Sequence, residues 1–217
     1  MNIENARFNM IEQQIRPWDV LDLDVLGLLS IVKRENYVPA EYRDLAFADL
    51  ELPLPGGSKM LFPRVEARVL QELTVKKHEN VLIIGAGSGY LAALFAHRAQ
   101  HVTAVEIDPT NAKFAEDNLR NDGVTNAEVV LGDGSRGWTG KAPYDVICVA
   151  GGLPAVPQEM LEQLKVGGRL AAFVGGRPVM KAQIITRIDD KQYRVADVFE
   201  TYIDHLVNAI EPSRFKF

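Results

Sequence analysis

The sequence has one cysteine, Cys148, among 217 residues, so no disulfide bond can form within the chain. It also has no block of lysine and arginine, and its net charge is −5 at pH 7. A protein dedicated to nucleic-acid binding usually presents a basic face to the phosphates, so we expect no nucleic-acid partner. The four histidines are scattered without the spacing of metal ligands, so we also predict no metal site.

Long apolar runs are missing as well. No run in the sequence approaches the about 20 residues that a helix needs to span a bilayer. The chain starts with MNIENARFNM, which lacks the cationic region and the apolar region of a secretion signal. We therefore expect no membrane association and a reducing, cytoplasmic setting.

Hydrophobic residues make up 47% of the chain, which suits one globular domain with a sizeable core. Residues 1–63 read as a helical extension that ends in an irregular loop rich in proline and glycine. Residues 64–217 form the predicted main domain. We expect the two parts to fold as one compact unit.

Two helices are predicted in the N-terminal part. Helical spacing places Phe8, Ile11 and Ile15 on one face of the first helix, which Pro17 ends. The second predicted helix is LDLDVLGLLSIVK, with Leu21 on its apolar side.

From residue 64 onward, short apolar runs alternate with helical patterns. The runs are NVLIIG, HVTAVEID, AEVVLGDG, YDVICVAGG and RLAAFVGG. Runs of this kind are typical of strands buried on both faces, so the alternation predicts a parallel sheet with helices on both sides. PQEMLEQLKVGG, ahead of the last run, reads as a helix that stops at its glycine pair.

Two further strand-like runs follow the predicted parallel part. AQIITRI and YRVADVFET are separated only by DDKQ, so they must pair antiparallel. We therefore predict an α/β fold: a doubly wound, mainly parallel, seven-stranded sheet that ends in a C-terminal antiparallel hairpin.

A glycine-rich turn, Gly85-Ala86-Gly87-Ser88-Gly89, lies between the first predicted strand and a predicted helix. Glycines let the turn be tight and let a ligand approach the backbone closely. The N-terminus of the following helix presents free N–H groups. The alternative is a turn that only packs a strand against a helix, but its position after the first strand favours a ligand-binding role.

Two acids follow predicted strands of the same sheet. Glu106 ends the second strand, 21 residues after Gly85, which is about the spacing at which an acid accepts hydrogen bonds from ribose hydroxyls. Asp133, between Gly132 and Gly134 at the end of the third strand, can accept from an exocyclic amine such as that of adenine. The alternatives are a solvated carboxylate at a strand end and an ordinary Asp-Gly turn.

A dinucleotide and S-adenosyl-L-methionine both fit a site for ribose and adenine. The dinucleotide pattern G-x-G-x-x-G ends in glycine, where this chain has Tyr90. The C-terminal hairpin also disfavours the dinucleotide-binding fold. Both observations favour S-adenosyl-L-methionine as the cofactor and a fold of the class I methyltransferase type.

Over most of its length the chain resembles the protein-L-isoaspartate O-methyltransferase family. The matching segments are MIEQQI, VKRENYVPAEYRDLAFADLELPLP, VLIIGAGSGYLAALFA, VEID, GDGSRGW, APYDVICVAGGLPAVPQEMLEQLKVGGRL and FVGG. The resemblance implies a protein-repair enzyme that methylates a carboxylate of damaged Asp or Asn sites in a protein or peptide substrate.

The resemblance also implies roles for the residues already singled out. Residues 85–89 would hold the methionine part of the cofactor. Glu106 with Ile107 would hold the ribose, and Asp133 with Gly134 would lie near the adenine. The identity of any catalytic residue stays open.

The predicted substrate loop departs from the family. The family has a loop of roughly T-I-S-x-P ahead of the first strand, whose hydroxyls help to bind the cofactor and the substrate carboxylate. Aligned on Pro63, this chain has Lys59, Met60, Leu61 and Phe62 before the proline, without those hydroxyls. Lys59 is either a countercharge for the substrate or a surface lysine, and Leu61 desolvates an anion unfavourably.

Two other departures are Ile83, where the family commonly has an acid, and the tail FETYIDHLVNAIEPSRFKF. The position of this tail stays open, and its His205 is not expected at the site. Two alternatives to a repair enzyme remain: a methyltransferase with a different, more apolar acceptor, including a small molecule, and a non-catalytic S-adenosyl-L-methionine-binding protein. The oligomeric state also stays open.

Overall fold

The computed structural model describes residues 2–211, so the end of the divergent tail, residues 212–217, lies outside the described part. Helix α1 (Ile3–Met10) continues as a π-helical turn over Ile11–Ile15 and as a 3-10 turn over Arg16–Trp18. The sequence therefore predicted the position of this first helical segment, although only its first part is α-helical.

The predicted apolar face of this segment was wrong at one position. Ile11 and Ile15 are buried, but Phe8 is 61% exposed. The buried residue of the first turns is instead Arg7, which pairs with Glu35. Because successive residues of a helix are rotated by about 100°, an inward-facing Arg7 turns its neighbour Phe8 away from the core.

Helix α2 (Leu23–Ile31) begins two residues later than predicted. The Asp22 carboxylate accepts hydrogen bonds from the N–H groups of Asp24 and Val25 and caps the helix there. Leu21 therefore precedes the helix and is 65% exposed, in contrast to the predicted apolar side.

One seven-stranded sheet in the order β3-β2-β1-β4-β5-β6-β7 forms the centre of the molecule. Strands β1 to β5 pair parallel, whereas β5-β6 and β6-β7 pair antiparallel. The strands are β1 (Asn80–Ile84), β2 (His101–Glu106), β3 (Ala127–Leu131), β4 (Tyr144–Leu153), β5 (Leu164–Gly176), β6 (Val179–Arg187) and β7 (Tyr193–Thr201). The predicted parallel sheet with a C-terminal hairpin is confirmed.

Four further helices flank or connect the strands: α3 (Pro63–Leu73), α4 (Tyr90–Ala96), α5 (Pro109–Asn121) and α6 (Gln158–Glu162). Strand order reverses between β1 and β4, so the carboxyl ends of these strands flank the switch point at which ligands bind in open α/β sheets.

Helix α6 is shorter than the sequence predicted, and the glycine pair after it is part of a strand. Leu164 already pairs with Tyr144, and the register then shifts so that Arg169 pairs with Val146. Gly167, at φ +82°, lies in the extra residues of this irregular section. The glycine pair therefore allows a β-bulge and does not stop a helix.

One hydrophobic core joins the N-terminal helices to the sheet. It contains Ile15 and Leu29 from the N-terminal segment together with Phe95 and Phe173 from the sheet domain. Cys148, in β4, is also part of this core, as predicted. None of the helices within residues 2–211 is long and apolar enough to cross a bilayer.

Candidate active site

The glycine turn follows β1 at the switch point of the sheet. Gly85 and Gly87 line a cavity at the carboxyl ends of the strands, called the main cavity below, whereas Ala86 and Ser88 line a smaller cavity beside it. Gly87 has a φ of +55°, which favours glycine at this position. Gly89 lies apart from both cavities: it is the N-cap residue before α4 and packs closely against the backbone of α5.

The carboxylate of Glu106 is buried at the end of β2 and holds the glycine turn. Its Oε2 accepts a hydrogen bond of 2.8 Å from the N–H of Gly87, and its Oε1 accepts one of 3.1 Å from the N–H of Asp108. Each carboxylate oxygen has two lone pairs, so Glu106 can accept further hydrogen bonds from a ligand.

Asp133 lies after β3, near the same edge of the sheet. Its Oδ1 accepts from the N–H of Ser135 at 2.8 Å, and its Oδ2 accepts from the Asn208 side chain at 2.9 Å. The hydrogen bond from the Ser135 backbone, helped by the one from Asn208, holds the pKa of Asp133 below its ordinary value. Asp133 is therefore a carboxylate at neutral pH and can act only as an acceptor.

The main cavity brings together most of the residues that the sequence singled out. Glu106, Ile107, Asp133 and Gly134 line it next to the glycine turn. Gly134 packs tightly beneath them, since an added Cβ would lie 2.8 Å from the side chain of Ile84. The two strand-end acids thus face one space.

The loop before α3 forms a small hairpin at one wall of this cavity. The N–H of Leu54 donates to the carbonyl of Ser58, and the N–H of Met60 donates to the carbonyl of Leu52, both at 2.8 Å. Gly57, at the tip, has a φ of +86°. The loop is therefore an ordered structural element.

Helix α5 holds the tip of this hairpin. The Asn111 side chain accepts from the N–H of Gly56 at 2.8 Å and donates to Ser58 Oγ at 2.9 Å. A Cβ on Gly56 would overlap the carboxylate of Asp108, so any larger residue here would have to displace this side chain. Ser58 also lines the main cavity, so a loop hydroxyl is present that the alignment on the proline did not identify.

The four predicted loop residues have different surroundings. Lys59 and Leu61 line the main cavity. Met60 is buried and lines the smaller cavity. Phe62 lies apart from both and packs under the guanidinium of Arg64, 4.7 Å from its ring centre.

The N-terminal segment supports the loop through one buried side chain. Arg34 donates to the carbonyl oxygen of Leu61 at 2.8 Å and to that of Ala46 at 2.9 Å. It also donates to the buried carboxylate of Glu66 at 3.2 Å. Burial raises the pKa of Glu66 to about 7, and Arg34 limits this rise.

The tail after β7 crosses the carboxyl end of β4 and covers the cavity. The N–H of Gly152 donates to the carbonyl of Asp204, and the N–H of Leu206 donates to the carbonyl of Gly152, both at 2.9 Å. The His205 ring lies 2.8 Å from the carbonyl oxygen of Gly175. Asp204, His205 and Leu206 all line the cavity, so the expectation that His205 lies away from the site was wrong. The contact depends on backbone bonds between the tail and Gly152, for which the sequence has no local signal.

The family model for protein-L-isoaspartate (D-aspartate) O-methyltransferase matches residues 5–207. The chain belongs to this family. The resemblance seen in the sequence is thereby confirmed, and with it the membership of a methyltransferase family.

Relatives in this family match nearly the whole chain. A protein-L-isoaspartate O-methyltransferase from Methanoculleus marisnigri is 38% identical over 192 residues, which cover 88% of this chain and 86% of the relative. A protein-L-isoaspartate O-methyltransferase 2 from Pelobacter propionicus is 37% identical over 209 residues, covering 96% of this chain and 93% of the relative.

Solved structures with the same fold also carry this family's name. One from Plasmodium falciparum, described in complex with S-adenosyl-L-homocysteine, has a TM-score of 0.80 at 17% identity and covers 95% of this chain and 99% of its own. Another protein-L-isoaspartate O-methyltransferase has a TM-score of 0.79 at 24% identity, covering 93% of this chain and 66% of its own. At these identities the likeness shows the shared fold.

Proposed function

We propose that this chain is an S-adenosyl-L-methionine-dependent methyltransferase that methylates a carboxylate of damaged Asp or Asn sites in proteins or peptides. The observation that carries this proposal is the single cavity shared by the glycine turn, Glu106 and Asp133. Membership of the protein-L-isoaspartate O-methyltransferase family supports the same acceptor.

The chemistry of the cavity residues fits this cofactor. Ribose hydroxyls and the adenine amine are hydrogen-bond donors, and Glu106 and Asp133 supply acceptors for them. The cofactor's sulfur carries a positive charge, which suits a cavity that Glu51 and Asp204 also line. We infer that Glu106 with Ile107 holds the ribose and that Asp133 with Gly134 lies near the adenine.

Two assignments remain, those of the glycine turn and of the hairpin loop. The glycine turn, residues 85–89, would hold the methionine part, with Gly85 and Gly87 nearest to the ligand. The hairpin loop would form the acceptor side of the cavity through Ser58, Lys59 and Leu61.

The role of the protein's residues in this reaction is to align the acceptor with the methyl group. When bound, the cofactor supplies an electrophilic methyl group. A carboxylate acceptor is ionised at neutral pH and needs no base, so the residues have only to fix the nucleophile in line. The ordered hairpin serves this purpose, and the side chain of Leu61 excludes water beside the reacting groups.

Labelled cofactor and an isoaspartyl peptide test this function. We expect base-labile methyl ester to form on the isoaspartyl peptide and not on the same peptide with ordinary aspartate. Calorimetry with S-adenosyl-L-homocysteine tests the cofactor site separately. Binding without any ester above background would leave a non-catalytic binding protein or a different acceptor, and no binding would refute the cofactor assignment.

A further inference from the structure

We propose that Lys59 binds the carboxylate of the acceptor, and that the carboxylate of Asp204 occupies this position until the acceptor displaces it. The inference rests on the proposed function and names the residue that would select an anionic acceptor. It assigns the tail a part in acceptor binding as well as in covering the cavity.

The ammonium group of Lys59 faces the main cavity between two acids. Its Nζ lies 2.8 Å from Asp204 Oδ2 and 3.9 Å from Glu51 Oε2. All three side chains line the same cavity as Glu106 and Leu61. The Lys59 ammonium therefore already binds one carboxylate, that of Asp204, on the side of the cavity that the proposed function assigns to the acceptor.

The hairpin holds the backbone of Lys59, which limits the positions that its ammonium can reach. Pro53 and Lys59 form a β-bridge across the hairpin, and the following N–H, that of Met60, is bonded to Leu52. Half-buried Glu51, at the start of the same hairpin, flanks the ammonium. These contacts hold the backbone of Lys59 beside the cavity and leave Glu51 next to its ammonium.

The pair with Asp204 is easy to exchange. The side chains of Lys59 and Asp204 are 45% and 56% exposed, and ion pairs as exposed as this contribute little to stability. The backbone of Asp204 is bonded to Gly152, so the carboxylate can rotate away while the tail keeps its position. An entering carboxylate then replaces Asp204 with a group of the same chemistry and charge.

This exchange also explains how the loop could serve an anionic acceptor without the hydroxyls of the family pattern. An ammonium, like a hydroxyl, donates a charge-assisted hydrogen bond to a carboxylate, and it adds a net positive charge that a hydroxyl lacks. Lys59 thus offsets the unfavourable desolvation that Leu61 imposes on an anion at this wall.

Three variants test the inference: Lys59→Met, Asp204→Asn and the double variant. For an isoaspartyl peptide we expect the KM to rise roughly tenfold or more in Lys59→Met, because a charge-assisted hydrogen bond is lost. In Asp204→Asn we expect the KM to fall, because the competing carboxylate is gone. The fall should vanish when Lys59→Met is also present.

A matched control is the pair of Lys181 and Asp197 in the C-terminal hairpin, which is similarly exposed and lies outside the cavity. Lys181→Met should leave the peptide KM unchanged. The affinity for S-adenosyl-L-homocysteine should stay within roughly twofold in all variants, since Glu106 and Asp133 are unchanged and its neutral thioether, unlike the sulfonium of the cofactor, does not interact with the charge of Asp204.

Binding of a fluorescent isoaspartyl peptide in the presence of S-adenosyl-L-homocysteine separates this inference from the reaction itself. Peptide binding that depends on Lys59, without methyl transfer, would overturn only the proposed reaction. Methyl transfer with the same KM in wild type and Lys59→Met would overturn only the role of Lys59. Neither binding nor transfer would overturn both.

Discussion

The guanidinium of Arg34 donates a hydrogen bond of 2.8 Å to the carbonyl oxygen of Leu61. This contact joins the N-terminal segment to the wall of the cavity. Two more acceptors, Ala46 O and the Glu66 carboxylate, fix the same guanidinium. The N-terminal segment therefore helps to shape the site although, within residues 2–63, no helix lines the main cavity.

Arg34→Lys should destabilise the protein and loosen the loop. Lysine keeps the charge, but its compact ammonium cannot reach the three acceptors that the planar guanidinium reaches. We expect the free energy of unfolding to fall by about 2–4 kcal/mol, measured in urea. The peptide KM should rise as well.

The control for this change is Arg16→Lys, at an exposed pair with Glu12. It should alter the free energy of unfolding by no more than about 0.5 kcal/mol. Equal stability of the Arg34 and Arg16 variants would contradict the role given to Arg34.

Glu66 should make stability depend on pH in a definite direction. Its folded pKa is raised by burial from the ordinary 4.5 to about 7. The stabilisation linked to this shift is complete below the ordinary pKa and is lost as the pH rises through about 7. Wild type should therefore lose stability relative to Glu66→Gln between pH 5 and pH 8.

Urea unfolding of both proteins at several pH values measures this difference. The other titrating groups are common to the two proteins and largely cancel in the comparison. Parallel stability curves across this range would show that Glu66 keeps an ordinary pKa in the folded protein.

Glu106→Gln should weaken cofactor binding. The two oxygens of Glu106 accept from the N–H groups of Gly87 and Asp108. In glutamine an NH₂ group replaces one of these oxygens, so one of the two N–H groups would lose its acceptor and meet another donor. We expect the Kd for S-adenosyl-L-homocysteine to rise roughly 10- to 100-fold in calorimetry. Glu116→Gln, on the exposed side of α5, is the matched control and should bind as wild type does.

Gly56→Ala should disturb the hairpin because the added methyl group would overlap the Asp108 carboxylate. We expect a loss of about 1–3 kcal/mol of stability and a higher peptide KM. Gly27→Ala is the control, since Gly27 lies in α2 with open space around it. Gly27→Ala should stabilise the helix by up to about 1 kcal/mol. A Gly56→Ala protein as stable as wild type would argue against the close packing at Gly56.

The sheet could be predicted because local signals agree with its topology. Each parallel strand is a short apolar run, and DDKQ is too short for anything but a hairpin. The predictions for Phe8 and for the glycine pair at Gly167 failed for a common reason. Burial of Arg7 and the register shift in β5 depend on partners far away in the chain, which periodicity does not record.

The proximity of the two strand-end acids could be predicted because the carboxyl ends of parallel strands meet at one edge of the sheet. Glu106 and Asp133 line one cavity for this reason. Ser58 and the tail could not be assigned in this way. Ser58 reaches the cavity through a hairpin held by Asn111, and the tail does so by bonding to Gly152, contacts that span 52 residues or more.

The buried position of Cys148 makes the protein suitable for thiol labelling. Burial raises the pKa of this thiol to about 12, so it supplies almost no thiolate to a maleimide at neutral pH. A cysteine introduced at an exposed position of the tail, as in Val207→Cys, would then carry a fluorophore without removal of the native thiol. Its emission would report how far the tail moves when ligands enter the cavity.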